Sequence, residues 1–86
     1  MWTVTLSEEA IKDLRRLSHD HRLRILTYVR DRIPQDPLHF SKRLVGTLSN
    51  VYRFRVGDYR LLAHINTDTK TVLIVHVGHR RDVYES

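Results

Sequence analysis

The sequence predicts an α+β fold of order β-α-α-β-β-β, a small and mainly antiparallel sheet with a helical hairpin packed on one face. Two observations carry that prediction. Residues 51–77 (VYRFRVGDYRLLAHINTDTKTVLIVHV) contain three runs rich in β-branched and aromatic residues, separated by turn-forming residues. Ahead of them, residues 8–33 hold two runs of apolar residues at helical spacing. An αα-hairpin must bury its apolar stripe, and the sheet is the surface available to it.

In chain order, residues 2–6 (WTVTL) alternate and read as a short first strand. Ser7 is placed to cap a helix whose first turn carries Glu8 and Glu9, where the helix dipole favours acids. Ala10, Ile11, Leu14 and Leu17 set its stripe over residues 8–17. Ser18-His19-Asp20 interrupts, with Asp20 the expected cap of a second helix. Leu23, Ile25, Leu26, Val29 and Ile33 form that helix's apolar face, and Pro34 stops it. An irregular loop follows to about Lys42. Residues 42–50 fit either a short strand or a lead-in to the next one.

The strands are expected at 51–56, 59–65 and 71–77, joined by Gly57-Asp58 and by Asn66-Thr67-Asp68-Thr69. The two-residue period of a strand places Tyr52, Phe54 and Val56 on one face and Arg53 and Arg55 on the other. Across the tight turn, Arg60 joins the second face. His64 shares its parity with Arg60, whereas His76 and His79 have opposite parities.

A chain of 86 residues is one domain, residues 1–86, and buries a modest core for its size. With 41% hydrophobic and 29% charged residues it has no apolar run near the ~20 residues of a membrane span, and no signal-peptide pattern opens it. A cytoplasmic location and no membrane partner are expected. The absence of cysteine excludes disulfides and thiolate metal sites, and none of the six histidines has a metal-ligand spacing, so no metal or other cofactor is expected. The net charge of +5 favours a polyanionic partner. Between His39 and His64 the basic residues Lys42, Arg43, Arg53, Arg55 and Arg60 face a single acid, Asp58. A solvated basic sheet face is the bland explanation; converging arginines are also a phosphate grip.

Four short patterns occur in order: Leu44-x-Gly46-x-Leu48, Tyr52-Arg53-Phe54-Arg55, Tyr59-Arg60-Leu61-Leu62, and Val77-Gly78-His79-Arg80-Arg81-Asp82-Val83-Tyr84. With the SEEAIKDLRRL helix they resemble the RelE branch of the RelE/ParE superfamily of type II toxin–antitoxin toxins, over nearly the whole chain. The resemblance implies a RelE-like fold and a metal-independent endoribonuclease that cuts messenger RNA in the ribosomal A site. The ribose 2′-OH would attack the adjacent phosphate, leaving a 2′,3′-cyclic phosphate and a 5′-OH.

Carried over by position, the resemblance puts Arg53 and Arg55 near the 2′-OH and phosphate, Arg60 on the phosphate and Arg80 at the leaving oxygen. Tyr84 would orient or stack on the scissile nucleotide, and Lys42, Arg43 and Arg81 would add RNA contacts. Studied relatives carry lysines where this chain has Arg53 and Arg55, and a guanidinium is a poor base. His79, beside Arg80, is therefore the candidate for proton transfer. The resemblance further implies a cognate antitoxin with an acidic or amphipathic segment, and a toxin–antitoxin complex of higher order. Two other functions share these features: a ParE-like gyrase inhibitor, and a non-catalytic module binding RNA or antitoxin.

Overall fold

The computed structural model describes residues 1–44 and 51–79. The elements are β1 (Thr3–Leu6), α1 (Glu8–Arg15), α2 (His19–Asp31), α3 (Pro37–Phe40), β2 (Ser41–Arg43), β3 (Val51–Val56), β4 (Tyr59–Asn66) and β5 (Thr71–His79). The sheet runs β1-β5-β4-β3-β2 and is antiparallel except where β1 lies parallel to β5. This is the α+β arrangement that the sequence predicts, with two additions. Asp36 caps the one-turn helix α3, which has Pro37 in its first turn, and β2 then pairs with β3 as an edge strand.

Ser7 caps α1, its hydroxyl accepting the Ala10 N–H at 3.0 Å. Ser18, not Asp20, caps α2. The buried face of α2 and its exit is Ile25, Val29 and Ile33, one helical turn apart, packed on Phe54, Leu61, Ala63 and Ile74. Leu23 and Leu26 do not join that face. They stay partly exposed and line an apolar cleft with Val4 and Pro34.

The irregularity that matters most lies in β5. Leu62 pairs with His76, yet Ala63 pairs with Ile74, so Val75 is an extra residue in the strand. The bulge reverses the parity of everything after it. Ile74 and Val77 both enter the core, and His79 lies on the same side as Val77. Ser7 is fastened to this point: its N–H donates to the Ile74 carbonyl at 2.8 Å and its hydroxyl to that of Val75 at 3.2 Å. Beyond Leu6 there is no β1 residue to pair with β5, and α1 takes over that edge.

Candidate nucleic-acid interface

The sheet face turned away from the helices carries the basic residues. Arg55 and Arg60 are direct cross-strand partners, and Arg53 pairs with Leu62 on one side and Lys42 on the other. Side chains so paired have Cβ atoms ~5 Å apart, and like charges placed there destabilise a sheet. Arg55 opposite Arg60 thus concentrates positive charge at one place on the sheet. The two arginines differ in setting: Arg55 is exposed, whereas Arg60, on the central strand, is 4% exposed. A guanidinium does not lose its charge at accessible pH, so Arg60 is a fixed buried cation on the central strand. Its β5 partner is Gly78, which has no side chain to contribute beside it.

Lys42 is exposed and shares this face; Arg43, opposite Tyr52, has the parity of the helix side. His64 is exposed on the arginine face, opposite Val51 and two pairs along from Arg53 and Leu62.

His79 is not brought to the arginines. The Val75 bulge sets it opposite Tyr59 on the helix side, with the rings edge to face at 5.6 Å and 82°. The Tyr59 hydroxyl lies 2.9 Å from Nδ1 of His21 on α2, so the three side chains form a row His21–Tyr59–His79. A small cavity of about 90 Å³ lies against this row, lined also by Arg24 and Asp58. Arg80, Arg81 and Tyr84 lie outside the described residues, as does most of the Leu44-x-Gly46-x-Leu48 pattern.

Sequence reasoning missed Asp13. It is 8% exposed, accepts the Val77 N–H at 2.9 Å, and lies 2.7 Å from Nδ1 of His76. The signal was present: Asp13 follows Ala10 by three residues and precedes Leu17 by four, so it lies on the stripe side of α1. On α2, Arg30 makes a two-pronged contact with Asp31 (2.7 and 2.9 Å), which holds the Asp31 carboxyl below its usual range and raises Arg30. Burial pushes the Tyr28 phenol above its ordinary value, with Arg32 pulling it partly back.

Among the described residues no group of His, Cys, Asp or Glu could hold a metal ion, and no helix is long and apolar enough to cross a membrane.

Comparison with known proteins places this architecture. Residues 4–84 match the family model described as ParE toxin of type II toxin–antitoxin system, parDE. Toxin RelG of Mycobacterium tuberculosis is 31% identical over 83 residues, covering 96% of this chain and 95% of that protein. The RelBE2 toxin–antitoxin complex of the same organism contains a chain with a TM-score of 0.86 at 30% identity, covering 92% of this chain and 98% of that one. The intact Escherichia coli RelBE complex matches with a TM-score of 0.73 at 21% identity, over 92% and 96% of the two chains, a likeness of fold.

Proposed function

We propose, from the premise that this chain belongs to the RelE/ParE superfamily of type II toxin–antitoxin toxins, that it acts as a ribosome-dependent endoribonuclease on messenger RNA. The observation that carries this reading is the Arg55–Arg60 pair, flanked by Arg53 and Lys42 on the sheet face clear of the helices.

The reaction asks for a base on the 2′-OH, cations on the phosphorane and a proton for the 5′-oxygen, and stabilisation of developing charge is usually the largest of such terms. The ribose 2′-oxygen attacks phosphorus and gives up its proton to solvent. The bond to the 5′-oxygen breaks and the 5′-oxygen takes up a proton from solvent, so that a 2′,3′-cyclic phosphate and a 5′-OH result with no net change in protons. Arg60, buried and permanently charged, holds the phosphate from the central strand. Arg53 and Arg55 bind the opposite side and lower the energy of the developing negative charge. Arg80 serves the leaving oxygen and Tyr84 the scissile nucleotide, on sequence pattern alone. An imidazole on the arginine face comes from His64, while His79 belongs to the Tyr59–His21 row on the other side.

The partner in the resting state is a cognate antitoxin. A basic sheet face and the apolar cleft at Val4, Leu23, Leu26 and Pro34 suit an acidic, amphipathic segment. The complex of the two is of higher order, and the chain acts in the cytoplasm.

The test is to add purified protein to ribosomes carrying a defined message and map new 5′ ends. Cuts at a fixed place in the codon, absent without ribosomes, are the expected result. The match to the parDE family model favours a second reading, gyrase inhibition. Growth arrest with DNA-damage signalling and intact messages would replace the first reading with that one.

A further inference from the structure

A second group of arginines sits around the edge of the sheet from the first. The cleft between α2 and the start of the β3–β4 turn, about 400 Å³, is lined by Arg24, Tyr28, Asp31, Arg32, Arg55 and Gly57, among others. Two of the guanidiniums are seated by their surroundings. Gly57 has a φ of +59°, and a Cβ there would stand 3.3 Å from Nη1 of Arg24, so the bare glycine lets that guanidinium rest on the turn. Arg32 lies over the Phe40 ring, 6.0 Å from its centroid, and Phe40 in turn packs edge-on against Tyr28 at 6.5 Å. Asp31, the carboxylate lining the cleft among the described residues, is already held by Arg30. Arg24 and Arg32 thus line a cleft whose acid is neutralised, and Arg55 borders it from the end of β3.

Arg55 belongs to both groups. It is opposite Arg60 on the arginine face and lines the α2 cleft. We infer that the Arg24–Arg32–Arg55 cleft binds the phosphate backbone of RNA, as a continuation of the arginine face around the Gly57 turn. The inference rests on the RNA reading above and adds to it a second subsite on α2, away from the scissile bond. Continuity through Arg55 favours one polyphosphate strand over a separate acidic peptide. Pre-seated guanidiniums lose little side-chain freedom on contact, as a backbone-tracking groove requires.

The experiment measures affinity of the full chain for a 2′-O-methylated single-stranded RNA over a range of salt, for wild type, R24A/R32A and R24K/R32K. A methylated strand has no attacking hydroxyl, so cutting does not enter the readout. Loss of two phosphate contacts makes the slope of log K against log salt shallower by about 1.4 for a single strand. R24A/R32A is expected to show that change with a drop of about tenfold or more in affinity at low salt, and R24K/R32K to retain the slope. Thermal unfolding checks both variants, and R32Q alone, with a slope change of about 0.7, serves if R24A/R32A does not fold.

Binding to empty and message-programmed ribosomes then separates the source. Weakening on programmed ribosomes alone assigns the cleft to the message; weakening on both assigns it to ribosomal RNA. An unchanged salt slope overturns the inference, whatever cutting shows. So does a loss confined to binding of an acidic antitoxin segment. A wild type that cuts nothing, while the slope changes as expected, sinks the nuclease reading and leaves the cleft standing.

Discussion

Asp13 on α1 and His76 on β5 meet at 2.7 Å through Oδ2 and Nδ1, and the same carboxylate oxygen accepts the Val77 N–H at 2.9 Å. The contact occurs where β1 has ended and β5 has an open edge. One carboxylate therefore does for Val77 what a further strand residue would have done, and it locks α1 to the sheet beside the bulge. Removing it strands a buried N–H as well as the histidine. Asp13→Ala is expected to cost about 2–4 kcal/mol, because an unmet buried donor carries its full desolvation cost. Asp13→Asn keeps an acceptor oxygen and should cost roughly half as much; His76→Ala, which leaves the Val77 bond in place, should cost ~1 kcal/mol. Urea unfolding midpoints at constant slope measure all three. Equal losses for the alanine and asparagine variants would mean that the carboxylate charge, not the edge bond, holds α1.

Much of this architecture is legible in the sequence because it depends on local pattern. Alternation in 51–56 and the Gly57-Asp58 turn are enough to place Arg53, Arg55 and Arg60 on one face, and the register has them there. What could not be read depends on contacts distant in sequence. The bulge at Val75 arises where Ser7 and Asp13 take over the β5 edge, and strand parity counted from Val72 goes wrong after it. That is why His79, adjacent in sequence to Arg80, lies with Tyr59 and His21 instead of with the arginines. The outward placement of Leu23 and Leu26 has a similar cause. Apolar residues at 23, 25, 26, 29 and 33 spread over about 160° of the helix at ~100° per residue, and the sheet covers only the 25–29–33 side.

Arg55 and Arg60 are expected to separate activity from stability. Arg55 is exposed, so Arg55→Ala should leave the unfolding midpoint within about 0.5 kcal/mol of wild type. Message cleavage should nonetheless fall by about 10²-fold or more, the usual effect of removing a group that stabilises transition-state charge. Arg60→Ala should lose cleavage at least as strongly and also shift stability, because the side chain is buried on the central strand. Cleavage on programmed ribosomes, alongside denaturant melts, checks the pair. If Arg55→Ala cuts at the wild-type rate, the cross-strand arginine pair is not the phosphate site.

The alkaline limb of stability should report on Tyr28. Its phenol titrates above the ordinary tyrosine value, chiefly because burial disfavours phenolate, with Arg32 opposing. A group whose folded pKa is raised contributes stability that is complete below the unfolded value, ~10, and is lost as pH rises through the folded one. An absorbance titration should show a late-ionising component, and Tyr28→Phe should abolish it. Arg32→Gln removes the opposing charge and should move it later still. An earlier ionisation in that variant would reverse the assigned sign.

The two hairpin turns make opposite predictions about glycine. Gly57 stands at the first central position of the β3–β4 turn with φ +59°, where an L side chain is strained and a Cβ would also crowd Arg24. Gly57→Ala is expected to destabilise by about 1–2 kcal/mol. At the β4–β5 turn, Asn66 Oδ1 accepts the N–H groups of Asp68 and Thr69 at 3.0 and 3.2 Å, and the chain re-enters β5 through Lys70 at φ 54°. Lysine there bears the left-handed strain that glycine avoids, about 1–2 kcal/mol, against a backbone entropy cost of ~0.5–1 kcal/mol for glycine in the unfolded chain. Lys70→Gly should therefore stabilise by roughly 0.5–1 kcal/mol. Both changes are read from thermal and urea melts of the same protein. A destabilised Lys70→Gly would mean that the lysine side chain makes a contribution larger than its backbone strain.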